Sequence, residues 1–397
     1  MLGTLLKNER QHQYMSQTAL AEGICSVSYL SKIESNQVSP SDEILILLFD
    51  CLGIDLIHDP ILLERFNTLS LDFWNRIINF ESPVANDELQ ALAQSCFYSK
   101  ATINAHLVLY YINRENHYID DLQAFIDIMT TDQRLAYVLA RVETFTTLEQ
   151  IEFLNQYKRI DHYGLIHHQL GVAYYRYGSY YSAIDNLNSA YQIYADTGNV
   201  KGMYQSSMML GSSYANLTYT SPDQMKMMLR YYNRALRLTR YLDDSTAVIS
   251  VNYNIGATYL LVGMYEAAQS YLVQAYNDSK DLSIPEKEIH NLILQKLAML
   301  YIFQNNLEAA SRIHNEMERN SDCLSEAVYQ LITFMIEEPN YLHHHQYGFH
   351  LETCKTIAEK DAHHGYVLMY VKFLIQYYSA NRLYKKALIL TEKYNIS

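Results

Sequence analysis

The residues best suited to chemistry lie near the start of the chain, in Ser16-Gln17-Thr18-Ala19-Leu20-Ala21-Glu22-Gly23-Ile24-Cys25-Ser26-Val27-Ser28-Tyr29-Leu30-Ser31-Lys32-Ile33-Glu34-Ser35. The chemistry on offer is recognition, not bond making. The segment reads as two short helices joined by a tight turn, the second set to enter a DNA major groove. On that second helix Ser26, Val27, Ser28 and Lys32 fall outward. Val27 can pack on a thymine methyl and Ser28 can bond a base or a phosphate. Lys32 suits a phosphate contact. Tyr29 and Leu30 read as core, and Glu34 as structural, paired at the surface with Arg10 for at most about 1 kcal/mol. No Gly-rich phosphate loop, GxSxG elbow or supported Cys–His pair occurs. His343-His344-His345 with His350, and His363-His364, lack a Cys or carboxylate at zinc spacing and read as solvated loops. No catalytic residue, metal ligand or cofactor is expected.

Positioning such a reader takes a small helical domain. Leu2, Leu5 and Leu6 give a first helix its apolar face. Ser16 suits the N-cap of the second, although Ala19 stands where a capping box has Glu or Gln. Ser26 or Ser28 caps the third, whose inner face carries Tyr29, Leu30 and Ile33. Ser39-Pro40-Ser41 breaks the chain, and Ser41 caps a fourth helix with Ile44, Leu45, Leu47 and Leu48 that ends near Gly53. Residues 1–58 thus form a first domain. It holds three basic residues (Lys7, Arg10, Lys32) against seven acidic ones (Glu9, Glu22, Glu34, Asp42, Glu43, Asp50, Asp55), a charge of −4, in a chain of net charge −13. Phosphate neutralisation dominates DNA affinity, so a single copy should bind weakly and a homodimer on two half-sites better.

The remainder is repetitive. Leu170-Gly171-x2-Tyr174-x3-Gly178-x-Tyr180-x2-Ala183-x3-Leu187-x2-Ala190 fits the tetratricopeptide pattern at every position. The pattern returns at Leu210-Gly211-x2-Tyr214, closed by Ala235 after an insertion around Ser221-Pro222. It is most complete at Ile255-Gly256-x2-Tyr259-x3-Gly263-x-Tyr265-x2-Ala268-x3-Leu272-x2-Ala275, and weaker at Leu297-Ala298-x2-Tyr301. Small residues let paired helices approach, and large ones fill the gap between pairs. Stacked pairs build a superhelix with a concave wall. Residues 59–160 read as degenerate helical repeats and 161–397 as the array proper. First helices of each pair line the concave face: His168, Tyr175 and Arg176; Gln205, Met208, Ser212 and Asn216; Tyr253; and Gln295. Arg176 could hold a carboxylate by two hydrogen bonds. The last helices, around Tyr366–Tyr394, suit a capping or dimer surface.

Composition agrees with an all-α fold, a helix-turn-helix domain followed by a repeat superhelix. Hydrophobic residues make up 49% and charged residues 18% of 397, too apolar for disorder. Gly (13) and Pro (6) are too few for a turn-rich β architecture, and 37 Tyr suit helix seams and groove walls. Five scattered cysteines without a CxxC pair fit free thiols in a reducing compartment. No signal peptide or apolar run of membrane-spanning length is read. A cytoplasmic protein with no membrane partner is expected.

Gly23-Ile24-Cys25-x2-Ser28-x2-Ser31-Lys32-Ile33-Glu34-Ser35, followed by Pro40 and an apolar helix, is similar to the phage-repressor-like helix-turn-helix of Rgg and PlcR regulators. Tyr253-Asn254-Ile255-Gly256 resembles repeats of the Rap, NprR and PlcR proteins. The order of domains resembles the same group, the cytoplasmic peptide-pheromone receptors of Gram-positive bacteria. The resemblance implies a dimeric transcription regulator switched by a short signalling peptide held in the concave face. It places Gln17 on a DNA phosphate and Asn254 on peptide backbone, a task for which an amide both donates and accepts. The other reading it allows is a Rap-like, peptide-regulated adaptor that sequesters a partner protein.

Overall fold

The computed structural model describes residues 1–81, 87–218, 223–280, 287–317, 323–360 and 364–394, and these form two units, 1–161 and 162–397. The insertion around Ser221-Pro222, apart from its edges, and His363 lie outside the described residues.

The first unit begins with α1 (Leu2–His12), α2 (Gln17–Ala21), α3 (Val27–Glu34) and α4 (Asp42–Cys51). Local chemistry starts three of them. The hydroxyls of Ser16, Ser26 and Ser41 accept from the backbone N–H groups of Ala19, Tyr29 and Ile44, satisfying donors that a helix start leaves open. Leu2, Leu5, Leu6, Leu20, Leu30, Ile33, Leu45 and Leu48 are buried between these helices. Leu47, expected on the inner face of α4, is instead 52% exposed, because it falls a quarter-turn from Leu48. Gly3 lets α1 lie directly on the end of α3, since a Cβ there would stand 1.9 Å from the Ile33 carbonyl oxygen. Six further helices complete the unit: α5 (Pro60–Ile78), α6 (Asp87–Ser95), α7 (Thr102–Asn113), α8 (His117–Leu122), α9 (Thr131–Val142) and α10 (Thr147–Tyr157).

The second unit is a run of helix pairs. They are α11 (Leu165–Tyr177) with α12 (Tyr180–Thr197), α13 (Val200–Leu217) with α14 (Gln224–Leu238), α15 (Thr246–Leu261) with α16 (Tyr265–Ser279), and α17 (Lys287–Phe303) with α18 (Leu307–Glu316). Then come α19 (Cys323–Glu337), α20 (His345–Lys360), α21 (His364–Ala380) and α22 (Tyr384–Tyr394). The small-to-large rule of the repeat is visible in each of the first three pairs. A Cβ on Gly171 would lie 2.5 Å from Leu187 Cγ, one on Gly211 2.6 Å from the Tyr232 ring, and one on Gly256 2.7 Å from Leu272 Cγ. Gly178, at φ +87°, ends α11 in a conformation that a side chain resists. The array curls until α21 meets α11. Gly365 of α21 lies against the Tyr175 hydroxyl, 3.2 Å from where a Cβ would be, and the Tyr253 and Tyr366 hydroxyls stand 3.5 Å apart. No described helix is long and apolar enough to cross a membrane.

Candidate functional site

In the first unit, one buried cluster sets the pose of α3. Arg10 of α1 gives Nε to Glu34 Oε1 at 2.6 Å and Nη2 to Oε2 at 2.9 Å, a two-pronged pair. Arg10 Nη1 donates to the Met15 carbonyl at 2.7 Å, and Gln17 Nε2 donates to Glu34 Oε2 at 2.8 Å. The side chains of Arg10 and Glu34 are 10% and 3% exposed. The expected surface ion pair is therefore a buried one, and Arg10 does not contribute to an external basic patch. The Glu34 hydrogen bond raises the Arg10 pKa above its ordinary value. Gln17 spends a donor on Glu34, so its amide acts first as a brace between α2 and α3.

The outward face of α3 is then short and polar. Ser26, Val27, Ser28, Ser31 and Lys32 are all exposed. Ser26 accepts the Tyr29 N–H as the cap and keeps its own O–H to donate, so Ser26, Val27, Ser28 and Lys32, together with Ser31, are placed to meet a partner. Ser31, which is not among the contact residues expected from sequence, lies one turn beyond Val27 and Ser28 and is exposed beside them. The sole acid on this helix, Glu34, is turned inward and neutralised. The face that would meet phosphate thus carries a positive charge within an acidic domain.

In the second unit a groove of about 540 Å³ runs along α11, α13, α15, α17 and α21, within the size range of small-ligand sites. Tyr175, Gln205, Met208, Ser212, Asn216, Tyr253 and Asn254 line it. Three expected wall residues do not. His168 is buried with its Nδ1 3.3 Å from the Ser206 hydroxyl, Arg176 is exposed away from the groove, and Gln295 is only 4% exposed. Arg176 and Gln295 each adjoin a lining residue, Tyr175 and Lys296, and are turned about 100° from it, whereas His168 lies two turns before Tyr175 on the same side of α11 and is covered by Ser206 of α13. Asn254 gives one amide hydrogen to the Ser250 carbonyl at 2.8 Å, leaving its other hydrogen-bonding capacity for the groove. The Ser212 and Tyr232 hydroxyls pair at 3.0 Å. Burial pushes the Tyr175 phenol up, opposed by a hydrogen bond with Asn216.

Two lining residues not predicted from sequence, Asp244 and Lys296, carry charge. Lys296 is 3% exposed, its Nζ lies 3.3 Å from Met369 Sδ and 5.0 Å from the Tyr366 ring centroid, and burial pushes it down to about 8. The unfolded chain holds that proton to about pH 10.4. Between these values the unfolded state binds more protons, so Lys296 makes stability rise with pH. Cys354, pushed up to about 12 by burial, acts in the opposite sense at higher pH, as do the buried phenols of Tyr253 and Tyr370. Those groups are common to wild type and Lys296→Met. Urea unfolding should show the wild type gaining about 2 kcal/mol on the variant between pH 8 and pH 10. A constant difference would mean that Lys296 is already solvated in the folded state.

No group of three or more His, Cys, Asp or Glu able to hold a metal is found among the described residues.

Residues 6–57 match the helix-turn-helix family model. The chain is 26% identical over 281 residues to the transcriptional activator NprA of Geobacillus stearothermophilus. That match takes in 64% of this chain and 66% of NprA, just under two thirds of its length. Among solved structures, a Rap protein in complex with competence and sporulation factor superimposes with a TM-score of 0.58 at 13% identity, over 84% of this chain and 98% of that one. The apo quorum sensor NprR of B. thuringiensis gives the same figures, 0.58 and 13% over 84% and 98%. These two likenesses establish the repeat-array fold.

Proposed function

We propose that this chain, which by fold and domain order belongs with the Rgg/PlcR/NprR/Rap-type regulators, is a transcription regulator that reads DNA through α3 and is switched by a short peptide in the groove of its array. The observation that carries the reading is a groove lined by helices from both ends of the array. Its walls come from helices far apart in the chain, α11, α13 and α15 on one side and α21 on the other. A peptide lying there touches both sides, so its affinity depends on how far α21 stands from α11. A ligand with such differential affinity shifts the array between states, and that shift is the signal. NprA, a transcriptional activator, and NprR, a quorum sensor, agree with this reading.

Two copies are needed to compensate for the acidic first domain. Tyr384, Leu388 and Ile389 on α22 are 65%, 56% and 53% exposed and offer an apolar surface at the end of the array for that pairing. The setting is cytoplasmic, where operator and imported peptide meet.

The DNA half of the reading has a direct test. Lys32→Ala should weaken DNA binding equally across sequences and lower the slope of log K against log salt by about 1 per protomer. Gel shifts at two salt concentrations measure it. An unchanged slope would mean that α3 does not face phosphate.

A further inference from the structure

Resting on the peptide-groove reading, we propose that Lys296 is an anion seat in the groove wall and that the ligand delivers a carboxylate to it. The ammonium is buried on α17, yet its nearby polar partners are sulfur groups: Met369 Sδ at 3.3 Å, a weak acceptor, and the Cys354 thiol, which burial keeps protonated and so uncharged. The face of Tyr366 at 5.0 Å adds attraction for a cation but no hydrogen bond. No described carboxylate forms an ion pair with it, and Asp244, the other charged lining residue, uses its Oδ1 to hold the Thr246 N–H and hydroxyl at the start of α15. A buried charge without a counter-charge is costly to keep. A carboxylate arriving in the groove supplies the missing charge and two acceptor oxygens, forming charge-assisted hydrogen bonds with the ammonium. The hydroxyl and amide groups around it, Ser212, Asn216 and Asn254, are neutral and can hold peptide backbone without competing for the ammonium. Lysine at this point makes the groove select for one negative charge in the ligand.

Such a carboxylate can be a peptide C-terminus or an Asp or Glu side chain, and three pools of random hexapeptides separate the sources. One has free C-termini and no acidic residue. A second is C-terminally amidated with one Asp or Glu per peptide. A third is amidated with none. Full-length protein is immobilised, and retained peptides are counted by mass spectrometry. The wild type should retain one or both acid-bearing pools about tenfold over the neutral pool, a margin of one charge-assisted contact. Lys296→Met, close in shape, should still retain neutral peptides but lose that margin, and Lys296→Gln serves as a second variant, each checked for helix content. Equal retention of all pools by the wild type would overturn the anion seat and leave the peptide groove standing, as would a margin that survives in both variants. Retention of no pool by the wild type would overturn the peptide reading and the anion seat with it.

Discussion

Glu34→Ala should abolish DNA binding at any salt concentration by loosening the packing of α1, α2 and α3, with no residue on the DNA-facing surface changed. Glu34 accepts three hydrogen bonds, two from Arg10 and one from Gln17, and it is 4% exposed. Removing it leaves the largely buried Arg10 guanidinium with a single bond, to the Met15 carbonyl. Breaking a buried pair from one side costs about 3–5 kcal/mol, a large part of the stability of a domain this small. The double variant Arg10→Met with Glu34→Leu replaces the pair by apolar groups of similar volume. It should recover much of the lost stability, since such replacements are often neutral or better, while Gln17 loses its acceptor. Thermal unfolding of the three proteins, followed by circular dichroism, measures both effects. A Glu34→Ala protein with unchanged unfolding would show that the pair is solvated, as a reading of sequence alone had it.

Ala257→Trp should remove the peptide response while leaving DNA binding intact. Ala257 sits on α15, lines the groove and is half-buried. An indole there occupies the space between α15 and α21 that a ligand needs. Ala257 is a groove residue at the edge of the packed core, so the cost to stability should fall within the roughly 1–3 kcal/mol typical of overpacking. Affinity for any peptide the wild type retains should fall at least about tenfold, because contacts on both walls are lost together. Titration of a fluorescent peptide measures it. Normal peptide affinity in this variant would move the binding site out of the groove.

These predictions draw on features that differed in how plainly the sequence displayed them. The caps at Ser16, Ser26 and Ser41 were legible because each bonds within three residues of itself. The repeat was legible because Gly171 and Gly256 recur at fixed distances from Leu187 and Leu272, and packing requires just that pairing. The burial of Arg10 and Glu34 was not, because it depends on α1 lying on the far end of α3, a contact between residues 24 apart. Arg176 and Gln295 miss the groove by one helical position each. Periodicity places Tyr253 and Asn254 on an inner face, but the twist of the superhelix decides that Asn216 faces the groove while His168 and Gln295 turn into seams. Lys296 was hidden for a related reason. A lysine in a helix normally reads as solvent-facing, and only the burial of Leu294, Leu297 and Leu300 around α17 signals that this helix has apolar neighbours on more than one side. The role of α21 as a groove wall, through Tyr366 and Met369, follows from closure of the array, which no local pattern encodes.

Occupancy of the groove should control how the helix-turn-helix meets DNA. The most direct test is a gel shift of full-length protein on DNA from around its own gene, with and without short synthetic peptides encoded nearby. The expected result is a specific shift whose midpoint moves when one peptide is added, with no such movement for Ala257→Trp. A specific shift that no peptide changes, or no shift at low salt under any condition, would contradict it.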